Sequence, residues 1–163
     1  MSKIPWFPAK KALKGLRDSG IKNTASAISE IVDNSMDAGA KNIEILVYEK
    51  SQKSGSRMLD KIDQIFIFDD GKGMTEEAIG SCLSVGGRDD SGDNEEGHTG
   101  RFGYGLPNSS MSQCMKVEVY SWQKKNEVFY TYLDFEEVVK KNQEFCNPVK
   151  KKSIPSDISK EIK

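Results

Sequence analysis

The sequence predicts one globular domain that combines helices and strands, the α+β class, and three observations lead to that prediction. The chain has 163 residues, of which 36% are apolar and 30% are charged, which suits a single domain with a hydrophobic core. Segments with apolar residues at helical spacing alternate with short runs rich in β-branched and aromatic residues. Ten of the fourteen glycines fall between Gly71 and Gly105, so the middle of the chain differs in composition from the rest.

The N-terminal part predicts two helices. Residues 8–17 place apolar side chains at helical spacing. A second helix begins at an Asn23 or Thr24 cap and continues to Ala38, where Gly39 supplies a C-terminal stop. Two helices are therefore expected before the first strand.

Two strands follow, over residues 42–48 and 62–68, because both runs are rich in residues that favour β-structure. The polar segment 49–60 between them is predicted to be a loop. The continuous apolar run 65–68 indicates a strand that is covered on both faces.

The second half predicts a helix, a loop, a further helix, a hairpin and a short final helix. Thr75 caps the first of these helices, and Pro107 suits the first turn of the next. The predicted ranges are helix 76–83, mobile loop 88–99, helix 107–115, strands 117–122 and 128–133, helix 134–141 and a weakly patterned polar tail 142–163.

Charge and cysteine content narrow the functional class. A formal net charge of -1 gives no global positive field that would recruit nucleic acid or membrane, although 20 of the 24 basic residues are lysines and a local basic patch stays open. Cys82, Cys114 and Cys146 are odd in number and far apart, which fits neither a disulfide framework nor a zinc site. With no apolar run long enough to span a membrane, we expect a soluble, cytoplasmic or nuclear protein with reduced thiols.

The second predicted helix has an unusual polar side. At 100° per residue, Glu30, Asp33, Asn34 and Asp37 lie within an arc of about 100°. One interpretation is a solvated acidic face. The other is a magnesium site beside a general base, in which the Asn34 amide holds the metal and Glu30, one turn away, orients and deprotonates a water. The opposite side holds Ala25, Ile28, Val32, Ser35 and Met36.

The second predicted strand ends in a glycine-rich turn. Asp69 follows the apolar run, and Gly71 and Gly73 come at alternate positions. The segment has two interpretations: a simple tight turn, or a place where absent side chains let a ligand approach the backbone. A carboxylate at Asp69 can accept a hydrogen bond from an exocyclic amine, which favours adenine over guanine.

A further glycine group, Gly100, Gly103 and Gly105, precedes the helix that begins near Pro107. Successive backbone amides in such a turn form a cradle for anions, and a helix N-terminus adds its dipole. The pattern is neither a Walker A loop nor the dinucleotide fingerprint. By itself it fits a flexible loop equally well.

Taken in order, EIVDNSMDAGA, FDDGKGMT and GHTGRFGYG resemble the three nucleotide-binding motifs of the GHKL, or Bergerat-fold, ATPases. This superfamily includes gyrase B subunits, MutL proteins, ninety-kilodalton heat-shock chaperones, histidine kinases and MORC proteins, and DNSMDAGAKNIEI is especially similar to the MutL and MORC branches. The resemblance implies a two-layer α/β sandwich with helices on one face of a mixed, mostly antiparallel sheet. It also implies an N-terminal strap and helix over 1–20 and an ATP lid over 86–99, all within one domain.

The resemblance assigns roles to individual residues. Glu30 matches the glutamate that activates the hydrolytic water, Asn34 the asparagine that binds Mg²⁺, and Asp69 the aspartate that reads the adenine amine. Asp33 and Asp37 share the first motif and have less direct roles. The other nucleotide contacts implied by the motifs are Gly71, Gly73, Met74, Gly100, Arg101, Phe102, Gly103, Tyr104 and Gly105.

The implied function is Mg²⁺-dependent hydrolysis of ATP to ADP and phosphate, coupled to lid closure and homodimerisation in a DNA-associated or chaperone-like machine. Any DNA contact is expected through other regions. Two family features are not found before Lys163: a Gly-Thr pair that supports the adenine-reading aspartate, and a transducer lysine that reaches the γ-phosphate. The chain is therefore expected to be an N-terminal piece or a reduced member. A non-hydrolysing nucleotide sensor or scaffold stays open, as does a histidine-kinase-type catalytic domain.

Overall fold

The structure is a computed structural model that describes residues 9–160, apart from positions 20, 22, 85–104, 125, 157 and 159. The described part has five helices and five strands, which confirms the α+β class. The helices are α1 (Ala9–Ser19), α2 (Thr24–Asp37), α3 (Glu76–Ser81), α4 (Gly105–Gln113) and α5 (Phe135–Lys141). The strands are β1 (Ile43–Ser54), β2 (Arg57–Asp69), β3 (Lys116–Ser121), β4 (Phe129–Asp134) and β5 (Lys150–Lys151).

The described strands form two sheets, and every described strand pair is antiparallel. β1 pairs with β2 in a long hairpin, while β3, β4 and β5 form a sheet in that order. β5 lies inside the segment 142–163, which the sequence predicts to be a weakly patterned polar tail. There Lys150 pairs with Tyr130, and Lys151 pairs with Phe129.

The prediction of a loop over residues 49–60 is wrong, because both strands of the first hairpin continue through this segment. The ladder runs from Ile43 opposite Asp69 to Ser54 opposite Arg57, with one irregularity after Tyr48. Gly55, with φ of 63°, begins the two-residue turn that closes the hairpin. The extension was missed because residues 49–64 are exposed, so their side chains need no apolar alternation while backbone pairing still satisfies their hydrogen bonds.

The apolar run 65–68 is half-buried on β2, so the prediction of a strand covered on both faces is wrong for the described part of the chain. The aromatic rings cover one another instead. Phe66 meets Tyr48 edge-on at 5.5 Å between centroids and stacks with Phe68 at 6.2 Å.

The helix ends follow the local sequence signals. The side chain of Asn23 accepts the Ala25 amide at the start of α2, and Thr75 accepts the Ala78 amide at the start of α3. Gly39, just after α2, has φ of 78°, a left-handed conformation that glycine adopts at low cost. These signals fix where the helices that flank the candidate site begin and end.

The hydrophobic core lies between the helices and one face of the second sheet, and α4 runs through it. Val117 and Val119 of β3 pack against this cluster, and Met111 of α4 is fully buried in it. α4 is therefore anchored in the core through Met111. The buried members are Leu13, Leu83, Met111, Leu133 and Val138.

Residues 1–8 of the predicted N-terminal strap lie outside the described residues. The whole of the predicted lid, residues 86–99, also lies outside them. None of the helices in the described ranges is both long and apolar enough to cross a lipid bilayer.

Candidate functional site

The polar side of α2 meets the first residue of α4. A Cβ atom placed on Gly105 would lie 3.5 Å from Glu30 Oε2 and 3.7 Å from Asn34 Nδ2. Glu30 and Asn34 are one helical turn apart, so their side chains leave α2 on the same side. The structure therefore brings together the first motif and the last glycine of the third motif.

The two remaining acidic residues of α2 differ in exposure. Asp33 is exposed and Asp37 is half-buried. Among the described residues, no cluster of three or more His, Cys, Asp or Glu side chains could hold a metal ion.

That arrangement fits the way proteins usually hold Mg²⁺. The ion takes one or two oxygen ligands from protein and the rest from water and substrate phosphates. The Asn34 amide oxygen is a suitable single ligand, and Glu30 beside it stays available for a different role. The sequence-based metal assignment to Asn34 is compatible with these side chains and stays a prediction.

Asp69 ends β2, and both of its carboxylate oxygens have partners. Oδ1 accepts a hydrogen bond from the Gly71 amide at 2.9 Å. Oδ2 accepts one from Ser35 Oγ at 3.3 Å, which links the end of β2 to α2. The Gly71 amide therefore orients the carboxylate, and Ser35 adds a longer contact that it shares with the Ile31 carbonyl, although Asp69 itself is exposed.

Ser35 is a functional candidate that the sequence reasoning missed. The sequence places it on the apolar side of α2, and it is buried, with 5% of its surface exposed. Its single hydroxyl proton is shared between the Ile31 carbonyl at 3.1 Å and Asp69 Oδ2 at 3.3 Å. Two other residues predicted on that side are exposed, Ala25 and Met36, the latter by 62%, so the inward side was placed wrongly for them. The only sequence signal for Ser35 was a hydroxyl immediately after Asn34.

The glycines after β2 let parts of the chain approach one another. A Cβ on Gly71 would lie 2.8 Å from Asp69 Oδ1 and 3.0 Å from the Cβ of Ala38. A Cβ on Gly73, whose φ is 65°, would lie 2.1 Å from the carbonyl oxygen of Trp122. Neither position has room for a side chain, so the loop requires glycine at both.

Backbone hydrogen bonds fasten the same loop on two sides. The Lys72 amide donates to the Ala38 carbonyl at 3.0 Å, just past the end of α2. The Met74 amide donates to Ser121 Oγ at 2.8 Å, at the end of β3. The loop that follows Asp69 is thereby fixed between α2 and the second sheet.

Asp70, the neighbour of Asp69, has a structural role. Its Oδ1 accepts the amides of Lys41 at 2.6 Å and Asn42 at 2.9 Å, and its Oδ2 accepts Asn42 Nδ2 at 2.8 Å. The backbone and side-chain hydrogen bonds from Asn42, followed by that from Lys41, lower the pKa of the Asp70 carboxyl to about 2. Asp70 therefore joins the start of β1 to the loop after β2.

α4 carries polar atoms in a buried setting. In the described part of the protein, Asn108 Oδ1 and Ser110 Oγ are buried and have no hydrogen-bond partner. Pro107, in the first turn as predicted, is fully buried. The predicted nucleotide contacts Gly100, Arg101, Phe102, Gly103 and Tyr104 lie outside the described residues.

The described site thus combines a carboxylate and an amide on α2, an oriented aspartate at the end of β2, and a glycine that opens α4. That combination, in an α+β fold with antiparallel sheets, defines a candidate nucleotide-binding protein. Residues 22–163 match the family described as histidine kinase-, DNA gyrase B- and HSP90-like ATPases. The chain belongs to this family of GHKL ATPases, and membership supports ATP binding.

Similar curated proteins indicate the branch. Protein MICRORCHIDIA 6 of Arabidopsis thaliana is 29% identical over 115 residues, covering 66% of this chain and 16% of the relative. The DNA mismatch repair protein MutL of Phocaeicola vulgatus is 39% identical over 56 residues, covering 34% and 7%. MutL of Shewanella sediminis is 36% identical over 64 residues, covering 39% and 9%. These similarities support a MORC-like or MutL-like branch, and the chain spans less than a fifth of each relative.

Proposed function

We propose that this domain binds ATP together with Mg²⁺ between α2, the loop after β2 and the start of α4, and hydrolyses it to ADP and phosphate. The observation that carries the proposal is the approach of Gly105 to Glu30 and Asn34. It places the N-terminus of a nine-residue helix, which favours phosphate, beside a candidate general base.

The adenine end of the nucleotide would bind at Asp69. Ser35 and the Gly71 amide orient its carboxylate, and an oriented acceptor is what recognition of an exocyclic amine needs. Guanine presents a carbonyl at the same ring position, and two acceptors facing each other repel. Asp69 would therefore favour ATP over GTP.

The phosphate end would lie against α4. The first amides of a helix lack partners within the helix, and the helix dipole favours negative charge there. A glycine at the first position keeps the space in front of Glu30 and Asn34 open. Mg²⁺ held by Asn34 and the phosphates would neutralise part of the negative charge of the phosphates.

Glu30 would perform the proton transfer. A water oxygen attacks the γ-phosphorus while the bond from that phosphorus to the bridging oxygen of ADP breaks, and the water's proton passes to the Glu30 carboxylate. Glu30 is exposed on α2, so water has access to it. Product phosphate then carries the new P–O bond.

We further propose that ATP binding closes a lid and promotes homodimerisation, as the family resemblance implies. Two of the similar proteins are named for DNA mismatch repair, which supports a role beside DNA through regions other than this site. Gel filtration with multi-angle light scattering, with and without ATP and Mg²⁺, tests the dimer.

Hydrolysis is tested by measuring ATP binding and phosphate release for the wild type, Glu30→Ala and the remote control Glu49→Ala, an exposed position on β1. We expect Glu30→Ala to bind ATP and to lose turnover by about a hundredfold or more, the typical contribution of a general base. Equal turnover in Glu30→Ala and wild type contradicts the proposal. Binding without phosphate release in the wild type favours a nucleotide sensor, and phosphate transfer to protein favours the histidine-kinase type.

A further inference from the structure

A cleft of about 340 Å³ lies between α1 and α5, and none of its residues belongs to the nucleotide site described above. α1 supplies one side and α5 the other. A volume of this size is at the lower end of the range for ligand pockets. The lining residues are Lys10, Lys14, Arg17, Asp18, Phe135 and Val139.

The charge of this cleft is mainly positive. Lys10, Lys14 and Arg17 follow one another at four- and three-residue spacing, so they share one face of α1. Against them stands a single carboxylate in the cleft, Asp18. Within the described ranges, neither lysine forms an ion pair with an acidic side chain.

The acidic residues on the neighbouring helix do not neutralise these cations. On α5, Glu136 is paired with Lys140 and Glu137 with Lys141, each one turn along the same helix. Their charges are largely balanced within α5. The cleft therefore keeps an excess of positive charge that a ligand can match.

Two contacts hold the Arg17 guanidinium in place. Its Nη1 donates to the Cys114 carbonyl at 2.9 Å, and its guanidinium carbon lies 5.3 Å from the centroid of the Phe135 ring. A guanidinium has five N–H donors in a planar fork that suits carboxylates. The donors not used by Cys114 are held in place, which lowers the entropy lost on binding.

We propose that this cleft binds a short acidic peptide segment that inserts one apolar side chain between α1 and α5. Phe135 and Val139 supply apolar contact for that side chain, and Arg17 with the two lysines faces the flanking carboxylates. A phosphodiester backbone fits less well. The cations cover about two turns of one helix, and Asp18 ends the row directly after Arg17, whereas nucleic-acid surfaces need an extended basic stripe.

The test uses the full chain and a labelled peptide of glutamates around one leucine, with fluorescence anisotropy as readout. A matched peptide with glutamine in place of glutamate is the ligand control. We expect binding of the acidic peptide that weakens with salt, and loss of about tenfold or more in the double variant Lys10→Glu with Lys14→Glu. That loss corresponds to about 1.4 kcal/mol.

The protein control is Lys50→Glu with Lys53→Glu, which makes the same charge change at exposed positions of β1 and should bind as wild type does. Arg17→Lys keeps the positive charge but loses the planar set of guanidinium donors, so it should also lower the affinity for the acidic peptide. Equal affinity of the cleft variant and the β1 variant overturns the proposal. Tighter binding of a labelled oligonucleotide at the same cleft overturns the peptide assignment. ATP affinity, measured in parallel, should not change in the lysine variants.

Discussion

Gly73 lies directly against the carbonyl group of Trp122: a Cβ atom at this position would come within 2.1 Å of the carbonyl oxygen. The contact joins the loop after β2 to the residue that follows β3. The hydrogen bond from Met74 to Ser121 lies beside it. The position of Asp69, at the start of this loop, consequently depends on a close backbone approach that only glycine permits.

Gly73→Ala should destabilise the fold by about 2 kcal/mol or more and weaken ATP binding, because the new methyl group meets backbone and the φ of 65° is strained for alanine. Chemical denaturation measures the first effect and calorimetric titration the second. Gly55→Ala is the matched control, since its φ is 63° and a Cβ there meets nothing within 4 Å. It should cost only about 1 kcal/mol. Equal losses in the two variants would argue against the close approach.

Ser35→Ala should lower ATP affinity by about fivefold, because one hydrogen bond that orients Asp69 is removed, a loss of about 1 kcal/mol. Ser29→Ala is the control. The Ser29 hydroxyl donates to the Ala25 carbonyl four residues earlier at 3.0 Å, as that of Ser35 does to the Ile31 carbonyl at 3.1 Å. Ser29 is exposed, however, and within the described residues it makes no hydrogen bond to Asp69. The preference for ATP over GTP should fall only in Ser35→Ala. If both variants bind ATP alike, Ser35 does not position Asp69.

The hydrogen bonds to Asp70 should make the stability of the fold depend on pH. The folded-state pKa of Asp70 is lowered to about 2, whereas an unfolded aspartate titrates near 3.9. The stabilisation is therefore fully present above about pH 4 and is lost as the pH falls towards 2. Wild type should unfold at a higher temperature than Asp70→Asn at pH 6, and the difference should shrink to a small remainder by pH 2. A difference that stays constant over this interval contradicts the assignment.

Gly105→Ala should leave stability nearly unchanged and weaken ATP binding. The new Cβ would make ordinary contacts, 3.5 Å to Glu30 and 3.7 Å to Asn34, so the fold accommodates it. The same methyl group would occupy space that the proposal gives to the nucleotide phosphates. Gly15→Ala, in α1 with nothing within 4 Å of the added atom, should bind ATP normally. Unchanged ATP affinity in Gly105→Ala would show that the phosphates do not bind against the start of α4.

The parts of the fold that local signals determine could be predicted from the sequence. The cap at Asn23, the stop at Gly39 and the cap at Thr75 all depend on residues within one helical turn, and the structure contains each of them. The outer half of the first hairpin could not be predicted. Its exposed residues are mostly polar and form strand through backbone pairing, and the apolar Met58 and Leu59 are adjacent in sequence, so no alternating apolar pattern marks the strand.

In the candidate site too, some residues could be predicted from the sequence and others depend on tertiary contacts. Motif order and spacing pointed to Glu30, Asn34 and Asp69, since those side chains have recognisable chemistry. The roles of Ser35 and Asp70 depend on tertiary contacts with distant parts of the chain. A buried hydroxyl on a helix and a second carboxylate in a turn have no sequence pattern that distinguishes support from binding.

An adenine nucleotide that binds at Asp69 depends on the carboxylate there, so the affinity of Asp69→Asn for ATP decides whether Asp69 reads the base. An amide can turn its NH₂ group towards the adenine amine, and a charge-assisted hydrogen bond of about 1.5 to 3 kcal/mol is lost. Isothermal titration should therefore show affinity reduced by about tenfold or more, with wild-type affinity in Asp63→Asn, an exposed position on β2. Wild-type ATP affinity in Asp69→Asn would mean that Asp69 does not bind the adenine amine.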